Sequence, residues 1–317
     1  MAELTTVGNQ HVNVGIITTQ SEGYHQYLCA EIAKHHNLVA VFHPQRRSFS
    51  RDESRKLRKK NIKNNGWVFH CLKKMASIKK LQGWDEKQDV AQAEQDLMPQ
   101  AREDYQKLVA PIAVPIADVN SPSGIAEISK FRPDVLLCSG GPIYRRKLIE
   151  SCPLMLNFHT GISPIYNGSR TIYWTFANRQ PYMTGGTLMH MSPIVDGGDI
   201  LGHFLPDIEP NDTPGRQFIK TIRGAVEMYS RFLKDLERGA SFVSVPQGRP
   251  FHLQFEYEWT VYRDTGYQRA IKQRICEKHV RAMRLRKTIG KLENREAAVV
   301  ELKNTIWELV YHVNSAQ

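Results

Sequence analysis

The sequence predicts an α/β protein with a doubly wound, mostly parallel sheet, a helical insertion and a helical C-terminal appendage. Three observations support this fold class. Strand and helix patterns alternate near the N-terminus, the alternation returns after a long helical stretch, and a glycine-rich turn follows a later strand. A chain of 317 residues fits one large domain of this kind plus an appendage.

Apolar periodicity and turn residues predict the individual elements. Strands are expected over residues 11–18, 38–42, 112–116, 134–139, 155–158 and 185–191, and helices over residues 23–36, 121–130, 143–150 and 212–237. The turn Gly140-Gly141-Pro142 follows the strand 134–139. It therefore lies at the carboxyl edge of the sheet, where open α/β sheets bind ligands.

A helical insertion interrupts the alternation at residues 45–108. Its first half is strongly basic and then acquires an apolar helical face that includes Trp67 and Phe69. Two interpretations are open: a surface that binds anions, or a solvated cover packed by those two aromatic residues. The first interpretation predicts that some basic residues of 46–80 contact phosphate groups of a substrate, and that replacing Arg46, Arg47 and Arg51 together weakens its binding.

The pattern divides the chain near residue 240. Residues 1–240 are expected to form the α/β domain with its insertion, and residues 241–317 a small β-plus-helical appendage. Within the appendage, residues 241–245 and 252–262 have a strand-like pattern, and residues 268–312 a helical one. The charged helices of this tail are a candidate surface for homo-oligomerisation.

Composition narrows the class of partner and the location. The formal net charge of +11 and the pI of about 9.4 favour anionic partners such as nucleotides, phosphorylated sugars, nucleic acid or acidic membranes. Five scattered cysteines without a C-x-x-C pair make a disulfide framework or a zinc site unexpected. The first ten residues lack a signal-peptide pattern, and no apolar run approaches the ~20 residues of a membrane helix. A cytoplasmic protein that does not bind membranes is expected.

Three polar residues carry the chemistry that the sequence predicts. Asn157 and His159 are two apart on a strand, so both side chains leave the same face at the carboxyl edge of the sheet. An amide and an imidazole placed there can stabilise an oxyanion and transfer a proton. Asp196 follows the strand 185–191 in a Gly- and Asp-rich loop, and can orient His159. Each motif alone is usually structural, but their combination in this order favours catalysis.

Other chemistry has weaker support. His190 on the neighbouring strand is expected to be a packed histidine, and the remaining histidines have no matching set of metal ligands. The start of the chain lacks the G-x-G-x-x-G pattern of dinucleotide-binding proteins, so NAD is not expected.

With these motifs the chain resembles the folate-dependent formyltransferases. The resemblance rests on N-x-H at Asn157 and His159, the Ser-Pro, Tyr and Gly that follow, and D-x-G-D-I from Asp196. It covers roughly residues 12–232, interrupted by the insertion. The resemblance implies a sheet of the formyltransferase type, catalysis by Asn157, His159 and Asp196, and 10-formyltetrahydrofolate as the formyl donor.

The resemblance also implies binding roles for two loops. The loop after strand 134–139 and the loop before Asp196 are expected to hold the pterin ring of folate. The expected folate-binding residues are Gly141, Pro142, Ile143, Tyr144, Ile194 and Val195, and the expected acceptor-binding residues are Ser163 and Tyr166. The chain departs from the family pattern at Asn167, where relatives often have a basic residue, and at Gly140-Gly141-Pro142, which replaces an aromatic-glycine turn.

Several acceptor amines are compatible with the resemblance. The positive charge favours an amino sugar linked to a nucleotide, as used in polysaccharide biosynthesis. A small amine such as hydroxyornithine is an alternative. Initiator methionyl-tRNA is less expected, because the tail has a helical pattern where that branch has a β-barrel, so nucleic acid is an unexpected partner. A non-catalytic binding protein on the same fold is the remaining alternative, and the intact Asn157, His159 and Asp196 argue against it.

Overall fold

The computed structural model describes residues 11–18, 23–45, 50–82, 84–248 and 250–289. The predictions for Arg46, Arg47 and residues 290–317 lie outside these ranges. The strands are β1 (Val14–Thr18), β2 (Leu38–Pro44), β3 (Ala113–Ile116), β4 (Val135–Ser139), β5 (Leu154–His159), β6 (Asn167–Gly168), β7 (Gly186–His190), β8 (Ile200–Phe204) and β9 (Leu253–Gln254). The helices are α1 (Tyr24–His35), α2 (Arg51–Asn65), α3 (Trp67–Gln82), α4 (Glu86–Leu97), α5 (Ala101–Leu108), α6 (Pro122–Ser129), α7 (Arg146–Ile149), α8 (Thr171–Ala177), α9 (Pro214–Glu237), α10 (Val261–Lys272) and α11 (Ile275–Ile289).

Seven strands form one sheet in the order β3-β2-β1-β4-β5-β7-β8. Strands β1 to β5 pair in parallel, whereas β7 and β8 are antiparallel at one edge. The strand order reverses at β1, which lies between β2 and β4. The predicted fold class, a doubly wound and mostly parallel sheet, is confirmed.

Successive residues of the central strands pack on opposite faces of the sheet. Ile16 belongs to the core formed with Leu28 of α1 and Tyr229 of α9, whereas Ile17 belongs to the core formed with Ile128 of α6. This follows from the two-residue period of a strand. Helices therefore cover both faces, as parallel sheets require.

The carboxyl ends of β1 and β4 form a polar cluster. Thr18 and Ser139 are paired end residues of these strands. His25 of α1 has its Nδ1 3.0 Å from Thr18 Oγ1 and 2.9 Å from Ser139 Oγ. The cluster connects α1 to the sheet where the strand order reverses, which is the usual ligand-binding position in such sheets.

The two halves of the insertion differ in how they pack. In α4, Asp89 accepts hydrogen bonds from the Gly215 N–H at 2.7 Å and from Thr213 Oγ1 at 2.6 Å, at the N-terminus of α9. The preceding helices α2 and α3, which we call the basic hairpin, are largely exposed. Of the two aromatic residues that one interpretation expected to pack a cover, Trp67 is 60% exposed and Phe69 is half-buried, so Trp67 does not serve as a packing residue. Ala76 belongs to the buried cluster that includes residues of α8 and α10.

The region after α9 has less β-structure than predicted. Residues 252–262 form only β9, a 3-10 turn (Glu256–Glu258) and the start of α10. Their alternating aromatic residues serve packing instead, because Trp259 is buried and Phe255 stacks on Tyr257. Residues 241–245 contribute one bridge, from Val245 to Ile200. The division of the chain at residue 240 stays a prediction.

Strand β8 and helix α8 were not predicted. The core around α8 joins α3, α8 and α10, through residues such as Trp174 and Tyr267. None of the described helices is long and apolar enough to cross a bilayer. The described residues also contain no group of three or more His, Cys, Asp or Glu that could hold a metal ion.

Candidate active site

The N-x-H motif lies at the end of β5. Asn157 pairs with Cys138 of β4 on one side and with Met189 of β7 on the other. His159 is the last residue of the strand and is 8% exposed. Because the two side chains share one face, both project at the carboxyl edge of the sheet.

The loop between β7 and β8 brings Asp196 to His159. His159 Nδ1 lies 3.4 Å from Asp196 Oδ1. The other ring nitrogen, Nε2, lies 2.9 Å from the backbone carbonyl oxygen of Tyr166. A carbonyl oxygen only accepts, so Nε2 carries a hydrogen in this contact. The Asp196 carboxylate therefore stabilises the ring when Nδ1 takes a second proton.

A glycine makes the close approach around His159 possible. A Cβ at Gly161 would lie 2.6 Å from His159 Nε2, and closer still to the Tyr166 carbonyl oxygen. Side chains at this position would displace the ring or its hydrogen-bond acceptor. Gly161 is therefore part of the sequence that positions His159.

The backbone of Asp196 is left-handed, with φ 48°. Its Oδ2 accepts a hydrogen bond from the Gly168 N–H at 2.8 Å. Its carbonyl oxygen accepts from Asn167 Nδ2 at 2.8 Å and from Gln247 Nε2 at 2.7 Å. Sequence reasoning noted Asn167 only as a departure from the family pattern, and Gln247 has no local signal that could have identified it.

A cavity of about 210 Å³ lies beside these residues. Two loops line it, one between β4 and α7 and one between β7 and β8. All of the predicted folate-binding residues line it: Gly141, Pro142, Ile143, Tyr144, Ile194 and Val195. Ile143 and Ile194 are 70% and 66% exposed, so they offer apolar walls to a ligand ring. Asn157 and Asp196 line the same cavity, as do the unpredicted Met191, Ser192 and Pro193.

Tyr144 holds the first of these loops. Its hydroxyl donates to the Gly140 carbonyl oxygen at 2.7 Å. Burial, followed by the nearby Cys138, raises the pKa of Tyr144 well above its usual value, which keeps the hydroxyl protonated as a donor. Gly141 has φ 137°, and a Cβ there would collide with the Tyr144 hydroxyl oxygen. Only glycine satisfies both the backbone angle and the available space.

A second cavity, of about 200 Å³, contains Asn157, His159 and Asp196 together. It shares Gly140, Asn157 and Asp196 with the first cavity, so Asn157 and Asp196 lie where the two cavities meet, and His159 lines the second cavity beside them. Its other walls are formed by strand and loop residues and by helix residues: Cys138, Ser139, Phe158 and Thr160, and Tyr24, Leu28, Phe218, Ile222 and Ala225. The helix residues were missed, although Phe218 and Ile222 are four apart on one face of α9.

The two predicted acceptor-binding residues lie elsewhere. Ser163 and Tyr166 are 1% and 3% exposed, and neither lines the two cavities. The Tyr166 hydroxyl donates to Gln180, and the Ser163 N–H donates to Thr187 Oγ1 at 3.0 Å. Their role in acceptor binding stays a prediction. His190 lines neither cavity, and burial, partly offset by nearby Asp199, lowers its pKa.

Comparison with known proteins gives the same family. The family model described as formyl transferase matches residues 16–232. Methionyl-tRNA formyltransferase of Chloroflexus aggregans is 30% identical over 99 residues, which are 31% of this chain and 32% of the relative. That of Clostridioides difficile is 27% identical over 144 residues, which are 45% of each chain. The chain thus matches less than half the length of these relatives.

The fold also resembles known structures. A candidate sugar N-formyltransferase of Mycobacterium tuberculosis superimposes with a TM-score of 0.50 at 14% identity, covering 82% of this chain and 87% of that one. At this identity the likeness shows the fold and nothing about the substrate.

Proposed function

The chain belongs to the formyl transferase family, whose members use 10-formyltetrahydrofolate as formyl donor, and we propose that it is an enzyme that transfers this formyl group to an amine. One observation carries the proposal. Asn157 and Asp196 line both cavities, so a donor in one cavity and an amine in the other would meet beside His159. Such juxtaposition converts a reaction between two molecules into one within a complex.

The side chains at the junction have distinct roles in this proposal. 10-Formyltetrahydrofolate supplies the formyl group when bound. The Asn157 amide reaches both cavities and is placed to donate a hydrogen bond to an oxyanion formed there. Asp196 Oδ1 faces His159 Nδ1, so it is placed to orient the ring and to stabilise it when Nδ1 accepts a proton. Because His159 Nε2 already donates to Tyr166, a direct bond from Nε2 to an oxyanion would require that contact to open.

The first cavity, which the predicted folate-binding residues line and which we call the donor cavity, can be tested by binding alone. Tetrahydrofolate at ~100 times its dissociation constant should stabilise the protein by about 2.7 kcal/mol, which raises Tm by roughly 5 °C. NAD at the same concentration serves as the control and should leave Tm unchanged. A Tm that responds to NAD and not to tetrahydrofolate would contradict the assignment.

For the acceptor, we favour the amine of a nucleotide-linked amino sugar. The support is the formal charge of +11, which suits a diphosphate. Hydroxyornithine, methionyl-tRNA and a non-catalytic binding role are the alternatives. The decisive assay incubates the protein and formyl donor with a panel of amines and detects a product heavier by one formyl group by mass spectrometry. Formylation of the amino sugar nucleotide is expected, and no formylated amine in any reaction would contradict an enzymatic function.

A further inference from the structure

The turn that carries Asp196 is held by a side chain from outside the family-matched residues 16–232. Gln247 Nε2 donates to the carbonyl oxygen of Asp196 at 2.7 Å and to that of Gly198 at 2.6 Å. Both acceptors are carbonyl oxygens, which fixes the nitrogen of the carboxamide as the atom that faces them. One amide group therefore bridges the carbonyl oxygens of Asp196 and Gly198.

The side-chain amide of Asn167 also binds the carbonyl oxygen of Asp196. Asn167 is fully buried, and its Nδ2 donates to the Asp196 carbonyl at 2.8 Å and to Gln247 Oε1 at 3.3 Å. The carbonyl of Asp196 thus receives two hydrogen bonds. This matters because the left-handed region at φ 48° is less favourable for Asp than for Gly, so hydrogen bonds to the Asp196 carbonyl help to hold the backbone in this conformation.

The chain delivers Gln247 to this position through backbone pairing. Val245, two residues earlier, exchanges two hydrogen bonds with Ile200 at the start of β8, both at 2.8 Å. Ile200 itself follows the Asp196 turn. The segment after α9 is therefore tied to the loop between β7 and β8 at Asp196 and Gly198, and to the start of β8 at Ile200.

We propose that Gln247 is a positioning residue: its carboxamide holds the Asp196 turn so that the carboxylate faces His159 Nδ1. The kinetic part of this inference rests on the proposed function. Gln247 does not line either cavity, so it acts through Asp196 and not by contact with a ligand.

A double-mutant cycle tests the kinetic part. Gln247→Ala should lower kcat at least ~10-fold in the wild-type background and less than ~2-fold in an Asp196→Asn background, because groups acting as a unit are not additive. Gln247→Glu, which presents two acceptors to two carbonyls, should be at least as damaging. Val243→Ala, in the same segment and 83% exposed, is the control and should keep wild-type kcat. Equal losses in both backgrounds would overturn the proposal.

Hydrogen exchange supplies a measurement that does not depend on activity. The Gly197 N–H donates to the Ile194 carbonyl oxygen at 3.1 Å, so its exchange rate reports on the turn. Exchange at residues 194–198 should be at least ~10-fold faster in Gln247→Ala than in Val243→Ala. Unchanged exchange would overturn the proposal even if formyl transfer is never observed, whereas an inactive wild type with faster exchange in the variant would contradict only the proposed function.

Discussion

The candidate active site buries its polar groups against hydrogen-bonding partners, whereas the basic hairpin exposes its charged groups to solvent. At the site, Asp196 is 12% exposed at its side chain, and its carboxylate and carbonyl oxygens all face named partners. In the hairpin, residues 51–78 contain nine Lys and Arg and two acidic residues. Their net charge of +7 is a large part of the chain's formal net charge of +11, and nearly all of these side chains are exposed. The chemistry expected of the first region depends on geometry, whereas the exposed residues of the second contribute mainly charge.

This difference determines how each region should respond to substitution. Buried, fully bonded groups are costly to disturb, because each lost partner leaves a desolvated polar atom. Exposed charges are screened by salt and contribute little individually. Substitutions at the site should therefore have large effects that are insensitive to salt, and substitutions in the hairpin small effects that are sensitive to it.

The largest effect is expected for His159 at the end of β5 and Asp196 in the loop between β7 and β8. His159→Ala and Asp196→Asn should each lower kcat by roughly 100-fold or more, a loss typical of removing one stabilising group from a transition state. Far-UV circular dichroism should show a retained fold. A kcat within a few-fold of wild type for His159→Ala would remove the proposed role of the pair.

Two glycines provide a matched intermediate test. Gly141→Ala places a Cβ against Tyr144 and should raise the donor KM about 10-fold, since the loop must shift. Gly66 in the hairpin also has a positive φ, 82°, but a Cβ there meets nothing within 4 Å. Gly66→Ala should cost about 1 kcal/mol of stability and leave both KM values unchanged. Equal donor KM values for the two variants would argue against the donor cavity.

The sequence predicted most of the sheet because its buried strands are continuous apolar runs between turns. It also predicted that Asn157, His159 and Asp196 act together, and the structure brings them to one junction. The helix walls of the second cavity were missed because Phe218 and Ile222 have an ordinary core-facing pattern. Gln247 was missed because its partners, Asp196 and Gly198, are backbone carbonyls about fifty residues away, and no local periodicity encodes such a contact.

The smallest effect is expected for the charge of the hairpin. Arg51, Arg55 and Lys59 are exposed, and replacing all three with Gln removes three of the seven excess charges while leaving the packed face of α3 intact. If the acceptor carries a diphosphate, its KM should rise a few-fold at low salt, since exposed ion pairs contribute about 0–1 kcal/mol each.

Two comparisons make this last prediction specific. The effect should fade above ~0.1 M salt, where the Debye length is ~10 Å, and the donor KM should not change. Lys107, Lys130 and Arg238 are exposed outside the hairpin, and their triple Gln variant is the control for a loss of net charge alone. Because none of the hairpin side chains that the structure describes lines either cavity, we expect their charge to act at long range or on a part of the acceptor that extends beyond the junction. An acceptor KM equal to that of the control at every salt concentration would leave the hairpin without a role in acceptor binding and remove the charge argument for a nucleotide-linked sugar.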